Sequence, residues 1–576
     1  MDKKLFLAFA LSGVVVVATP FLFPRAKSAP TPAPVEVAAP TGAAATGAAP
    51  AATPVGTAAA GATGAVVNPA AGGAAGASAA GAPTLPASIV PETLTVNTPL
   101  HHMQFSTVGA APIDVQVIGY NSLGPSKGVV TIHQKGEALL RYRILAGRDT
   151  IDLAKMPFTN ARSVGANGAE VVTFHGTSGA TSGATSGAAD ITLQYTQAPK
   201  DYLSTVKVTV TGTAAPAFLL VDMPTGFVSQ EGDTLGDLNA LAYAVKPQKG
   251  NAKGIPFHKL DPGEQRLEVG PMLWAVAKNK YFVVALLTPE KAPVIAEMHF
   301  EGGTRTSKMA TRGIATAVLP LGADGAVQFD LYTGPQEWQR MRALGRDFEN
   351  ANPYGGFLQG VVQPFATIVM RSLLWMKATT HLNYGWVLVI FGVVIRLLMW
   401  PLNQKAMRAS MKLQRIQPEM QALQAKYKSD PQKQQAEIMK LYSAHGMSPL
   451  SPLLGCLPML LPMPILFALF FVFQNTIEFR GVAFMWLPDI SLKDPLYILP
   501  LVMGASMYVL SWIGMRNAPP NPQAKMMAYI MPAMMTFFLI NFASGLNLYY
   551  TIQNLAALPQ QWLIANERAK GASGKG

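Results

Sequence analysis

The chain has 576 residues, room for several domains; half of them are hydrophobic and only 13% are charged. With a mean hydropathy of +0.24, that balance argues against a soluble protein of ordinary composition and for an integral membrane protein. The net charge of +13 admits nucleic acid, anionic lipid or positive-inside topology as its cause, and the single cysteine, Cys456, excludes an intramolecular disulfide and a cysteine-based zinc site.

Residues 1–25 begin Met-Asp-Lys-Lys and run apolar from Leu5 to Phe23. The run is long for a signal peptide and close to spanning length, so an uncleaved anchor is favoured over a cleaved leader ending near Ala26-Lys-Ser-Ala29. Lys3 and Lys4 would hold the N-terminus in the cytoplasm. Residues 26–88 are Ala, Gly, Pro and Thr with Lys27 and Glu36 as the only charges, a composition that reads as a disordered tether.

Residues 89–345 change character. Short β-rich runs recur between turn signals, among them Ile113–Ile118, Val206–Val210, Phe218–Val221, Tyr281–Ala285 and Val327–Tyr332. Their period of two predicts an antiparallel β-sandwich. The repeat Ser178–Ala188 reads as a loop. His101 and His102 read as surface histidines, since no spaced partner completes a metal site, and no metal or cofactor is expected.

Residues 336–352 are polar and helical in pattern. Residues 353–380 place Phe357, Val361, Phe365, Ile368, Val369 and Leu373 at three- and four-residue spacing, which predicts an interfacial amphipathic helix. A helix packed on the sandwich is the plainer alternative.

Five apolar segments follow, at 382–402, 452–474, 495–513, 526–543 and 545–564, each near the roughly 20 residues a bilayer span requires. Together they hold one charge, Arg396. An arginine deep in a bilayer costs about 2.5–3.5 kcal/mol on insertion scales. It therefore needs a wet cavity, a partner or a route to the interface. Arg396 lies little more than a turn before Pro401, so a polar groove and snorkelling to headgroups both stay open.

The link 403–447 carries eight basic residues, Lys405, Arg408, Lys412, Arg415, Lys426, Lys428, Lys433 and Lys440, against three acids. By the positive-inside rule this link, residues 514–525 and the short basic tail 566–576 are cytoplasmic, and the β domain lies outside. Topology thus accounts for much of the positive charge, and no specific nucleic-acid site is expected. Asp430-Pro431 is a helix start. Apolar residues at helical spacing on both sides of it predict a helical hairpin, either simply solvated or a docking surface for clients, partners or anionic lipids.

No P-loop, HExxH, GxSxG or CxxC motif occurs, and the apolar segments contain no Asp, Glu, Lys or His. Enzymatic catalysis is not expected. Asn547, Tyr550, Thr551 and Asn554 fall on one helical face, as a stripe for interhelical hydrogen bonds or as part of a groove shared with Arg396. Pro452, Pro458, Pro462 and Pro464 predict an irregular second segment. The bulky residues Ile465, Phe467 and Phe470, with Met534, Phe537 and Phe538, read as lipid-facing or core, or as an adaptable greasy surface for client helices.

The stretches Val394–Leu402, Pro452–Pro458, Met463–Leu469, Asp489–Pro500 and Ser544–Tyr550 resemble the YidC/Oxa/Alb family of membrane protein insertases, and the layout resembles its Gram-negative bacterial members. The resemblance covers residues 353–565; over the β domain it is one of architecture and position. It implies an inner-membrane protein with five spans plus the anchor, and a hydrophilic groove in which Arg396 receives the polar part of a client. It further implies client release along the greasy helices, client capture by the basic hairpin, and nascent membrane proteins, the Sec translocon and the ribosome as partners. Pro462 stands where many members carry Gln, and the tail after Trp562 is short, with Arg568, Lys570 and Lys575 its basic residues, so ribosome contact is expected to be weak. A secondary transporter or channel, and an anchored periplasmic assembly module, are the competing classes.

Overall fold

The computed structural model of the chain describes residues 91–573 apart from 126, 133–135, 166–167, 180–187, 307–308, 353–358, 447–462 and 517–521. The expected anchor, the tether, Cys456, Pro452, Pro458, Pro462 and Lys575 lie outside the described residues.

Residues 93–335 are almost entirely β. A four-stranded sheet (Thr93–Asn97, His101–Ser106, Pro112–Asn121, Val129–Thr131) and a fourteen-stranded sheet share one apolar core. The described pairings are antiparallel, as between Leu203–Thr211 and Asp190–Gln197. The strand sequence explains position. Leu203–Thr211 alternates apolar and polar residues and buries every second side chain. Phe282–Leu287, with no polar residue, is buried on both faces, as a central strand must be. Trp274, Tyr142, Tyr195, Phe105 and Phe174 fill the core.

His101 departs from expectation. It is fully buried, not on the surface, with Nδ1 2.7 Å from the Thr98 hydroxyl. Strand alternation turns His101 inward and His102 outward, and burial pushes the His101 imidazole down to about 4.

Helices take over beyond the sandwich. After the short α1 (Thr234–Asn239) and α2 (Trp338–Ala343) come α3 (Gln359–Thr380), α4 (Tyr384–Lys426), α5 (Pro431–Ala444), α6 (Met463–Asn475), α7 (Ile498–Met515), α8 (Pro522–Leu539) and α9 (Ser544–Ser573). The segment α3 is amphipathic: Ala366, Val369, Met370 and Leu373 are buried, while Ile368 and Trp375 are exposed. The first apolar segment and the first arm of the basic hairpin are one continuous helix, α4, running through Pro401 and Pro418. Asp430 caps α5, its Oδ1 accepting from Lys433 N at 3.1 Å. Two described stretches, Tyr384–Arg408 and Ile498–Met515, have the length and apolarity of a bilayer span; Ile465–Asn475 and Ala528–Leu539 are shorter apolar helices.

Candidate functional site

Arg396 lies on α4 in an aliphatic stretch that starts beyond an Asn383 cap, whose Oδ1 accepts from Gly385 N at 2.8 Å. The helix α9 runs alongside. Gly392 permits the approach, since a Cβ there would lie 3.0 Å from Ile552 Cγ2, and its carbonyl accepts from Gln553 Nε2 at 2.7 Å. About one turn further along α4, Arg396 Nη2 donates to Gln560 Oε1 at 2.9 Å, and Gln560 Nε2 donates to the Trp400 carbonyl at 3.0 Å.

Arg396, Met399, Asn403, Ile465, Tyr549 and Gln553 line a small cleft of about 20 Å3, room for about one water molecule. Arg396 Nε is buried with no hydrogen-bond partner. Among the described residues no carboxylate pairs with Arg396, although Arg408, three turns on, pairs with Glu567 at 3.0 Å. A cation held in a cleft lined by Met399, Ile465 and amides, without a counter-charge, has the chemistry to attract an anionic group.

The stripe read from sequence points elsewhere. Asn547, Thr551 and Asn554 are buried. Asn547 Nδ2 donates to the Leu539 carbonyl at 3.1 Å, Thr551 to the Asn547 carbonyl at 2.8 Å, and Asn554 Nδ2 to Ser506 on α7 at 3.0 Å. Tyr550 is half-buried beside Tyr549. The side chains that meet Arg396's surroundings are Tyr549, Gln553 and Gln560. Their spacing of four and seven also defines a helical face, but α9 carries two polar faces and the sequence does not say which one meets α4.

Of the greasy residues, Ile465 lines the cleft, Phe470 packs between Phe471 and Phe542, and Phe467 is partly open. On α8, Met534, Phe537 and Phe538 are exposed, Phe537 to 81%. Such uncovered bulk suits lipid contact. Lys405, Arg408, Lys412, Lys426 and Lys428 are exposed on α4 and the turn after it; the side chain of Arg415 lies outside the described residues.

The far end of the bundle is closed by the loop 476–497, which two acids organise. Asp489 accepts from Gly481 N, Ser491 N and the Ser491 hydroxyl. Asp494, fully buried, accepts from Leu496 N, Leu499 N and Trp486 Nε1. The β domain grips the same loop: Tyr281 donates to Ser491 Oγ at 3.1 Å, and Trp338 N donates to Glu478 at 3.0 Å. These contacts give a physical reason for acids at 489 and 494.

Residues 93–368 match the family model described as the YidC periplasmic domain, and residues 375–571 the one described as 60Kd inner membrane protein. The membrane protein insertase YidC of Anaeromyxobacter dehalogenans strain 2CP-1 is 30% identical over 430 residues, 72% of each chain. That of strain 2CP-C is 31% identical over 417 residues, 69% of this chain and 70% of the relative. That of Anaeromyxobacter sp. strain Fw109-5 is 35% identical over 295 residues, a match spanning about half the length of each protein, 51%. With its β domain and its helical region each matched, the chain belongs to the YidC family of membrane protein insertases.

Proposed function

We propose that the protein takes polar, acidic-flanked segments of nascent membrane proteins into the Arg396 cleft and releases their apolar helices into lipid. The observation that carries this reading is Arg396 itself. It is bonded to an amide beside the cleft, not to a carboxylate, and so keeps its charge available. Passing an apolar helix into the bilayer is favourable, so the work left to the protein is to shelter the polar flank, and no nucleotide or covalent chemistry is needed. The reading is therefore of a non-enzymatic insertase and chaperone. Exposed apolar side chains on α8, with Phe467 on α6, would border the client's path into lipid.

The same proposal sets five spans plus the N-terminal anchor in a bacterial inner membrane, with both termini cytoplasmic and the β domain periplasmic. Its support is the asymmetry of basic residues, eight of them in 403–447. The exposed lysines of α4 and α5 would meet anionic headgroups and incoming clients. The Sec translocon and, weakly, the ribosome are proposed partners on the strength of the family resemblance.

The test is insertion of a single-span client with an acidic translocated tail into liposomes holding the full chain, scored by protease protection. Protection that falls sharply in Arg396→Ala supports the cleft. Equal protection makes Arg396 dispensable, and no protection above empty liposomes removes autonomous insertion.

A further inference from the structure

Gln560 is 1% exposed and is held between two groups of α4. Its amide orientation is dictated by its partners. A guanidinium only donates and a carbonyl only accepts, so turning the amide over would set donor against donor at Arg396 and acceptor against acceptor at Trp400. The Trp400 carbonyl thus fixes the amide, and the amide oxygen is aimed at Arg396. Glutamine has the shape of glutamate. The position therefore reproduces an arginine–carboxylate pair with the negative charge removed. The partner is also incomplete: Arg396 Nε remains buried and unused, whereas a carboxylate would engage a guanidinium through two parallel donors.

We propose that Gln560 is a positioning residue that acts as a neutral stand-in for a client carboxylate, holding the Arg396 guanidinium at the cleft until an acidic client group displaces it. The inference rests on the insertion reading above and specifies how the cleft chooses its cargo. The Arg396–Gln560 bond has one ionised partner, whereas a client carboxylate supplies the second charge and can bond through two parallel donors, so a client acid exchanges with Gln560 downhill. A resident acid at 560 would instead pair permanently with Arg396 and repel the client's charge. The amide keeps the cation oriented and desolvated without satisfying it.

The experiment uses the full chain in liposomes with two single-span clients identical except for two Asp or two Asn in the translocated tail. In Gln560→Glu, insertion of the acidic client falls about tenfold relative to the neutral one, the factor corresponding to about 1.4 kcal/mol. Gln560→Met removes the amide that holds the guanidinium without adding charge, and lowers the ratio by about threefold, less than Gln560→Glu does. A purely structural role would lower both clients alike in Gln560→Glu; that result, or no loss at all, overturns the stand-in role. So does an equal fall of the ratio in Gln560→Met, which would remove charge as the cause. Arg396→Ala separates the two levels of failure. If it inserts the acidic client as well as wild type does, the cleft reading itself fails and takes this proposal with it. If Arg396→Ala loses the acidic client while Gln560→Glu keeps it, only the role of Gln560 falls.

Discussion

Arg480 and Glu231 meet across the junction of the two folded parts: Arg480 Nε lies 2.9 Å from both carboxylate oxygens of Glu231, and each side chain is only 5% exposed. Arg480 Nη2 also donates to the Asn121 carbonyl at 2.9 Å, and the Tyr281 and Phe282 rings stack near the guanidinium. Glu231 and Asn121 belong to the β domain and Arg480 to the loop that closes the helical bundle. The periplasmic-type domain is therefore bolted to the end of the bundle opposite the basic hairpin.

Breaking this pair from one side leaves a buried charge uncompensated, a change that typically costs about 3–5 kcal/mol. Glu231→Ala should lower the unfolding temperature of the purified protein sharply. The double variant Glu231→Leu with Arg480→Met should recover much of the loss, because neither charge is then stranded. Thermal unfolding of Glu231→Leu, of Arg480→Met and of the double in detergent measures the coupling; additive losses would show that the pair does not fasten the junction.

Glu478, two residues before Arg480, makes the junction sensitive to pH. Burial pushes its carboxyl up from the usual 4.5 to about 7, against the Trp338 N–H that favours the ionised form, and its Oε2 is buried without a partner. The folded state holds this proton more tightly than the unfolded chain. Its contribution is fully present below about pH 4.5 and is lost as pH rises through about 7. Glu478→Gln keeps the neutral form at every pH. It should match wild type near pH 5 and exceed it near pH 8, by at most about 2–3 kcal/mol. Unfolding temperatures of both proteins at the two pH values check this, and a difference that does not change with pH would mean that Glu478 is ionised throughout.

The two architectures were legible from chain patterning because each follows from periodicity. Alternation in Leu203–Thr211 and the unbroken apolar run of Phe282–Leu287 each state the burial of their strands. Arg396 was legible as the one charge in apolar surroundings. Its partners were not, since α9 presents Asn547–Thr551–Asn554 on one side and Tyr549–Gln553–Gln560 on another, and only packing decides which faces α4. The continuity of α4 was hidden for a similar reason. A proline inside a helix removes a backbone hydrogen bond, yet α4 runs through Pro401 and Pro418, and Gln560 braces the carbonyl of Trp400 beside the first. His101 was misread because a two-residue period puts one of two adjacent histidines inside, and the doublet does not say which.

Asp494 ties the loop to α7: it accepts from two backbone N–H groups, one of them in the first turn of α7, and from the Trp486 indole. Asp494→Ala strands these buried donors and should cost about 2 kcal/mol or more. Asp494→Asn keeps an acceptor for part of the set and should fall between. Limited proteolysis at the 476–497 loop reads the effect locally: faster cleavage in the order Asn then Ala is expected, and unchanged cleavage in both would show that the helix ends hold the loop without it.

Asn554 separates the two faces of α9. Its amide donates to Ser506 on α7 at 3.0 Å, and nearby Gly504 lets α8 come so close that a Cβ would lie 2.1 Å from Thr536 Oγ1. This seam is a packing contact between helices, and interhelical hydrogen bonds of its kind contribute about 0.6–2 kcal/mol in membranes. Asn554→Leu should therefore reduce thermal stability modestly while leaving the ratio of acidic-tail to neutral-tail client insertion where it is in wild type. Gln560→Glu should change the ratio whatever its effect on stability, since the carboxylate gains the Arg396 pair but sets an acceptor against the Trp400 carbonyl. The contrast tests the geometry directly, because both residues are buried, polar and on the same helix, and differ in which neighbour they face. A shift of the client ratio in Asn554→Leu as large as that in Gln560→Glu would mean that the α7 seam, and not the α4 face alone, takes part in receiving the client's charge.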